Sequence, residues 1–140
     1  MKKNILKLFT IAALFSFVFE SCQKDSETNP ATSTSDRDKF LGTWITSSNG
    51  AVHGTLNFSM TITAGTSSAS QIKMENFDGE GTGTFVFAEV SGTNAVIQQQ
   101  VVSGDTIQGS GNYSSNGTFS FTYTFRDGQT VDNRAATAHK

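Results

Sequence analysis

From Gly54 to Thr63 the chain reads GTLNFSMTIT, apolar and polar residues in strict alternation. Successive side chains of an extended strand point to opposite faces, so Leu56, Phe58, Met60 and Ile62 share one side, and Thr55, Asn57, Ser59 and Thr61 the other. Thr118–Arg126 repeats the pattern with Phe119, Phe121, Tyr123 and Phe125. No long window beyond Cys22 carries apolar residues at helical spacing. All 13 glycines follow Phe40, mostly between the alternating runs. Short strands joined by tight turns are what such a chain builds.

In chain order, Phe40–Ser47 is expected as the first strand, with a turn around Asn49-Gly50. Gly54–Thr63 follows, then the small-residue turn Ala64–Ala69 and the strand Gln71–Phe77, where Ile72 and Met74 share a face. Asp78-Gly79-Glu80-Gly81 reverses the chain into Thr82–Val90. There Phe85 and Phe87 lie on one side and Val86, Ala88 and Val90 on the other, so either face suits partial cover. Ser91–Asn94 turns into Ala95–Val102, whose adjacent Val96 and Ile97 break alternation and imply a β-bulge near Gln98. Asp105–Tyr113, thinned by Gly109 and Gly111, is an edge or sharply bent strand. Asn116-Gly117 and Asp127-Gly128 are hairpin signals flanking Thr118–Arg126, and Gln129–Ala138 closes the chain. The expectation is an all-β, antiparallel up-and-down meander of about seven or eight strands, since two-residue turns join antiparallel neighbours. Its apolar face is buried by closing into a barrel or, alternatively, by folding as a β-sandwich. An eight-stranded barrel has an interior that side chains just fill, or that holds one small ligand.

The first residues carry an address. Lys2, Lys3 and Lys7 precede an apolar run from Leu8 to Phe19, broken only by Thr10 and Ser16. This is the pattern of a secretory signal, too short to span a ~30 Å hydrocarbon core. Phe19-Glu20-Ser21-Cys22 resembles the lipobox of bacterial lipoproteins, and the resemblance implies lipidation of Cys22 through its sulfur after removal of residues 1–21. Several acyl chains on one cysteine make a stable anchor where a single chain holds only marginally. Gln23-Lys24-Asp25-Ser26-Glu27 resembles the short acidic signal that sends Bacteroidota lipoproteins to the cell surface. Localisation is therefore expected at the cell envelope, on the outer membrane, with the periplasmic and surface faces both open. Residues 22–38 are expected as the lipidated cysteine and a flexible tether, because 23–38 hold no aliphatic residue larger than alanine. Residues 39–140 are the folded domain. Loss of residues 1–21 takes Lys2, Lys3, Lys7 and Glu20 from totals of 10 Lys+Arg and 12 Asp+Glu, leaving a net charge of −4. That balance argues against nucleic acid as a partner.

Gly42-Thr43-Trp44, just after Phe40-Leu41, resembles the G-x-W signature of lipocalin-like barrels. The run Asn76-Phe77, Ser91-Gly92 and Gln100 makes residues 38–138 similar to small lipocalin-like lipoproteins of the Bacteroidota type. The resemblance implies that Trp44 plugs the closed end of the barrel beneath an arginine of the last strand, Arg134 first and Arg126 second. Gly42, Trp44 and Arg134 are thus the expected barrel-closing motif.

A reacting group is harder to find. His53 and His139 are the only histidines and have no companions at metal-ligand spacing, so no metal and no cofactor are expected. No G-x-S-x-G elbow is present, and Gly79-Glu80-Gly81-Thr82-Gly83 precedes no helix that would face a phosphate. Glu75, Asp78, Glu80, Glu89, Asp105, Asp127 and Asp132 lie at turns or strand ends, where solvated charge is the expected state. Two functions follow, neither enzymatic. One is a membrane-anchored binding module for a small apolar ligand or a glycan, lined by some of Phe58, Met60, Phe85, Phe87, Phe121 and Tyr123. The other is a structural or protein-interaction lipoprotein with a filled barrel.

Overall fold

The computed structural model, in which residues 34–140 are described, turns the alternating runs into eight strands. These are β1 (Gly42–Gly50), β2 (Gly54–Ala64), β3 (Gln71–Glu75), β4 (Phe85–Ser91), β5 (Asn94–Val102), β6 (Asp105–Tyr113), β7 (Thr118–Asp127) and β8 (Thr130–His139). Each pairs antiparallel with its sequence neighbour, and β8 returns to pair with β1, closing the sheet as a barrel. Closure rules out the sandwich and leaves β6 no edge, so that strand is not the edge the sequence allowed. The signal run, Cys22 and the tether up to residue 33 lie outside the described residues. Among the described residues no helix is long and apolar enough to cross a membrane.

Alternation sets the inside. Trp44, Phe58, Met60, Ile62, Ile72, Met74, Val86, Ala88, Val90, Ala95, Ile97 and Ile107 are buried with the β7 row Phe119, Phe121, Tyr123 and Phe125. Each large apolar side chain so buried contributes on the order of 1.5–3 kcal/mol relative to exposure. On β7 the inward rings stack down the wall, Phe119 on Phe121 at 4.8 Å and Phe121 on Tyr123 at 5.7 Å. β6 makes room with glycines: a Cβ at Gly111 would stand 2.6 Å from the Phe119 ring, and one at Gly109 would stand 2.7 Å from Tyr123 Cβ. The thin strand is therefore the one over whose backbone the large rings lie.

Two local devices complete the wall. The β5–β6 register shifts between Ile97 and Gln100, so the bulge expected near Gln98 is present. Beyond Glu89↔Val96 the β4–β5 ladder ends, and the Gln100 carboxamide takes its place. Its Oε1 accepts from Phe87 N–H at 2.9 Å and its Nε2 donates to Phe87 O at 2.8 Å, as a strand peptide would. At the closed end, helix α1 (Thr34–Asp38) precedes buried Phe40, and Asp36 Oδ2 accepts from Gly92 N–H at 3.1 Å. The last five residues of the expected tether are thus helical, their carboxylate tied to the β4–β5 turn. The first hairpin also differs from expectation, turning at Ala51–His53 rather than at Asn49-Gly50. Gly50 is needed for space instead, since a Cβ there would stand 2.6 Å from Asp132 Oδ1.

Candidate functional site at the barrel mouth

The two ends of the barrel differ in chemistry. At the closed end, Trp44 Nε1 donates to Phe40 O at 2.7 Å, and edge-on contacts join Phe40 and Trp44 to Tyr113 and Phe119. The cation over the Trp44 ring is Lys140, 4.7 Å from the centroid. Arg134 does not take that position. Register places it beside Gly50, six residues along β1 from Trp44, which at ~3.3 Å per residue is the far end of the strand. Arg126, paired with Val131 and exposed, does not reach Trp44 either. The expected Trp44–Arg134 pairing fails because β8 runs antiparallel to β1, so its early residues meet the late residues of β1.

Arg134 instead organises a buried polar cluster at the mouth. β8 alternation turns Asp132 and Arg134 inward, below Ala136 and Ala138, while β1 turns Thr46 and Ser48 inward. Arg134 Nε lies 2.9 Å from Ser48 Oγ, 3.2 Å from Tyr123 Oη and 3.1 Å from Asp78 Oδ1. Its Nη1 donates to Asp132 Oδ2 at 2.8 Å and its Nη2 to Gly54 O at 3.2 Å. Tyr123 Oη donates a hydrogen bond to Asp78 Oδ1, and Ser48 Oγ stands 2.8 Å from the same hydroxyl. Asp132 also accepts from the N–H groups of Val52 and His53, both at 3.1 Å, which ties β8 to the first hairpin turn. His53 Nδ1 completes the set at 3.1 Å, its half-exposed ring edge-on to Phe125.

The two carboxylates respond oppositely to this setting. Burial acts to raise the Asp132 pKa, but the Val52, His53 and Arg134 hydrogen bonds outweigh it and hold it at about 2. Burial dominates at Asp78 and raises its pKa, against the opposing pull of the Tyr123 hydrogen bond and the Arg134 charge. The Tyr123 hydroxyl is raised too, by burial and then by the Asp78 carboxylate it donates to, and so remains a donor. Both acids depart from the solvated state expected of turn residues.

Asp78 reaches the cluster on an inserted loop. β3 is only five residues long, and its final pair with β4 is Glu75↔Phe85. The chain from Asn76 to Thr84 leaves the wall, with the 3₁₀ turn Phe77–Gly79 at its start. Asn76 and Asp78 both have φ 58°, and the bend directs Phe77 and Asp78 into the barrel. The Phe77 ring, fully buried, lies 4.8 Å from Tyr123 and 5.6 Å from Phe121. β7 is diametrically opposite β3 in the eight-strand circle, so Phe77 crosses the interior to touch it.

Of the expected lining residues, Phe58, Met60, Phe121 and Tyr123 face inward and are buried. Phe85 and Phe87 do not; they point outward, Phe87 39% exposed, while Val86, Ala88 and Val90 take the inside. Rings from β7, β1 and the inserted loop already occupy the centre, which leaves β4 room only for small or branched side chains. Phe87 and Val96 border an outer hollow of about 290 Å³ with Gln71, Glu89, Gln98 and Gln100. A larger outer hollow of about 680 Å³ is polar, lined by Gln98, Gln99, Gln108, Thr122, Thr124 and Asn133. Among the described residues no group of three or more His, Cys, Asp and Glu side chains converges to hold a metal.

No family model and no curated protein matches the chain. Among solved structures it is similar to a redesigned β-barrel, b11L5F_LGL, at TM-score 0.55 and 13% identity, over 75% of this chain and 94% of that one. It is similar also to EF1p2_mFAP2b bound to DFHBI, at TM-score 0.55 and 13% identity, over 77% of this chain and 99% of that one. At that identity the likeness is one of fold: the chain is an eight-stranded, antiparallel, up-and-down β-barrel.

Proposed function

We propose that the protein is a non-enzymatic envelope lipoprotein, anchored through lipid on Cys22, whose barrel binds a small, largely apolar ligand or a glycan. The observation that carries the reading is the Arg134–Asp78–Tyr123–Ser48 cluster, a few convergent polar groups set in an aromatic interior. Ligand sites have that composition, apolar walls giving affinity and a few polar groups giving orientation. A barrel of similar fold is known bound to DFHBI, which supports the same use of the architecture. The anchor rests on the resemblance of residues 19–22 to a lipobox. Radiolabelled palmitate should enter the wild-type protein and not Cys22→Ser.

A second reading, a filled barrel acting through its surface, is favoured by the outward Phe87 and Val96 and by the ring-on-ring interior. Native mass spectrometry of the full chain, released gently from envelope extract in detergent, separates the two. A reproducible excess mass lost on denaturation supports ligand binding. A bare protein mass, with no melting shift across a lipid and glycan panel, overturns it in favour of a surface role.

A further inference from the structure

Phe77 and Asp78 are adjacent in sequence, and both are used as a ligand would be. The ring is held between Phe121 and Tyr123 of the opposite wall; the carboxylate sits on Arg134 Nε and the Tyr123 hydroxyl. Neither belongs to the sheet. The Asn76–Thr84 segment is held by Asn76, whose Nδ2 donates to Ser59 O and whose Oδ1 accepts from Gly81 N–H, both at 2.7 Å, by Gly83 N–H on Glu75 Oε1 at 2.9 Å, and by Asn76 N–H on Thr84 O at 3.2 Å. Gly79, Gly81 and Gly83 all have positive φ, so the segment has turning points beyond the inserted residues. Withdrawal of Phe77 and Asp78 would break no pair of the β-ladder.

The site would keep its form without them. Arg134 retains Asp132, Ser48 and the Gly54 carbonyl, and Asp132 keeps its backbone donors. With Asp78 gone, Nε keeps Ser48 Oγ at 2.9 Å but loses its carboxylate, and the Tyr123 hydroxyl loses the acceptor it donates to. Deeper in the barrel, the inward Thr46 Oγ1 is buried with no hydrogen-bond partner. Planar, charge-assisted contact from an arginine recognises a carboxylate well.

We propose that Phe77 and Asp78 are an internal stand-in for the ligand, and that the mouth takes a small aryl carboxylate. Its ring lies against Phe121 and Tyr123, its carboxylate on Arg134 Nε and Tyr123 Oη, and the β3–β4 loop swings out as it enters. The inference rests on the reading that the barrel binds a small ligand, and it names the class.

The test uses the full chain in detergent, 3-phenylpropionate as the probe and 3-phenylpropionamide as its neutral counterpart. Calorimetric titration of the Phe77→Ala/Asp78→Ala variant is expected to show acid affinity at least about tenfold above wild type, and about tenfold above the amide. Tyr123→Phe is expected to weaken the acid several-fold and leave the amide unchanged. In the wild type, the acid should accelerate hydrogen exchange of the Gly79 and Gly81 amides, whereas a ligand elsewhere would slow exchange or leave it alone. If the double variant does not melt cooperatively, Asp78→Asn, which keeps the ring in place, should raise acid affinity several-fold. Equal binding of acid and amide overturns the carboxylate class while leaving a ligand-binding barrel. Variant binding with a silent wild type and unchanged exchange overturns the stand-in role. Binding of neither probe to a folded double variant overturns the ligand-binding reading itself.

Discussion

Arg134 is the residue on which the mouth depends. It is 2% exposed, and among the described residues the two carboxylates it touches pair with no Lys and no other Arg, Asp132 meeting His53 Nδ1 besides. Arg134→Met should lower the unfolding free energy by about 3–5 kcal/mol, because it strands Asp78 and Asp132 beside an apolar side chain. Urea unfolding measures this, and the Arg134→Met/Asp78→Asn pair should recover part of the loss. The buried state of these residues was not legible in the sequence. Asp78 and Asp132 sit next to glycine or the end of a hairpin, where acids are usually solvated. Their burial depends on where β8 falls beside β1, a long-range register that no local pattern encodes. The same register moved Arg134 away from Trp44, although the alternation that turns it inward was readable.

At the level of elements, legibility followed local periodicity. The β2 and β7 faces were readable because all their apolar residues fall on one side. β4 was not, since it offers aromatic residues to one face and Val86, Ala88 and Val90 to the other, and the free volume left by the other strands decides. The Phe77 loop was read as strand up to that residue, since Ile72, Met74 and nearby Phe77 suggest continuity; the αL geometry of Asn76 ends it. Gln100 is the wall's least obvious part. Its carboxamide replaces ladder bonds on Phe87, so Gln100→Ala should cost about 1–2 kcal/mol in urea unfolding and release the Phe87 amide to exchange. Gln100→Glu, which keeps the acceptor for Phe87 N–H and loses the donor to Phe87 O, should fall between the two.

For the molecule as a whole, stability should depend on pH through two acids of opposite sign. Asp132 is depressed to about 2 in the fold, so its contribution is complete above its unfolded value near 3.8 and is lost as pH falls through 2. Asp78 is raised in the fold; its contribution is complete below its unfolded value and is lost as pH rises through the raised one. Thermal melts from about pH 2 to 7 should therefore show the acid limb flattened in Asp132→Asn, and the loss towards neutral pH removed in Asp78→Asn. Closure of the barrel has a further consequence, in time rather than in energy. Seven of the eight strand pairings join sequence neighbours, but β1 with β8 sets Ile45 beside His139 and cannot form until both ends of the domain are in place. Loop-closure entropy is concentrated in that one step, which puts folding in the slow range of β-topologies, about milliseconds to seconds. Until it happens, β1 and β8 are two unpaired edges on a nearly finished sheet, each able to accept a strand from another chain. The native barrel has no edge to offer, so the interval before closure is when copies of this protein are open to joining one another.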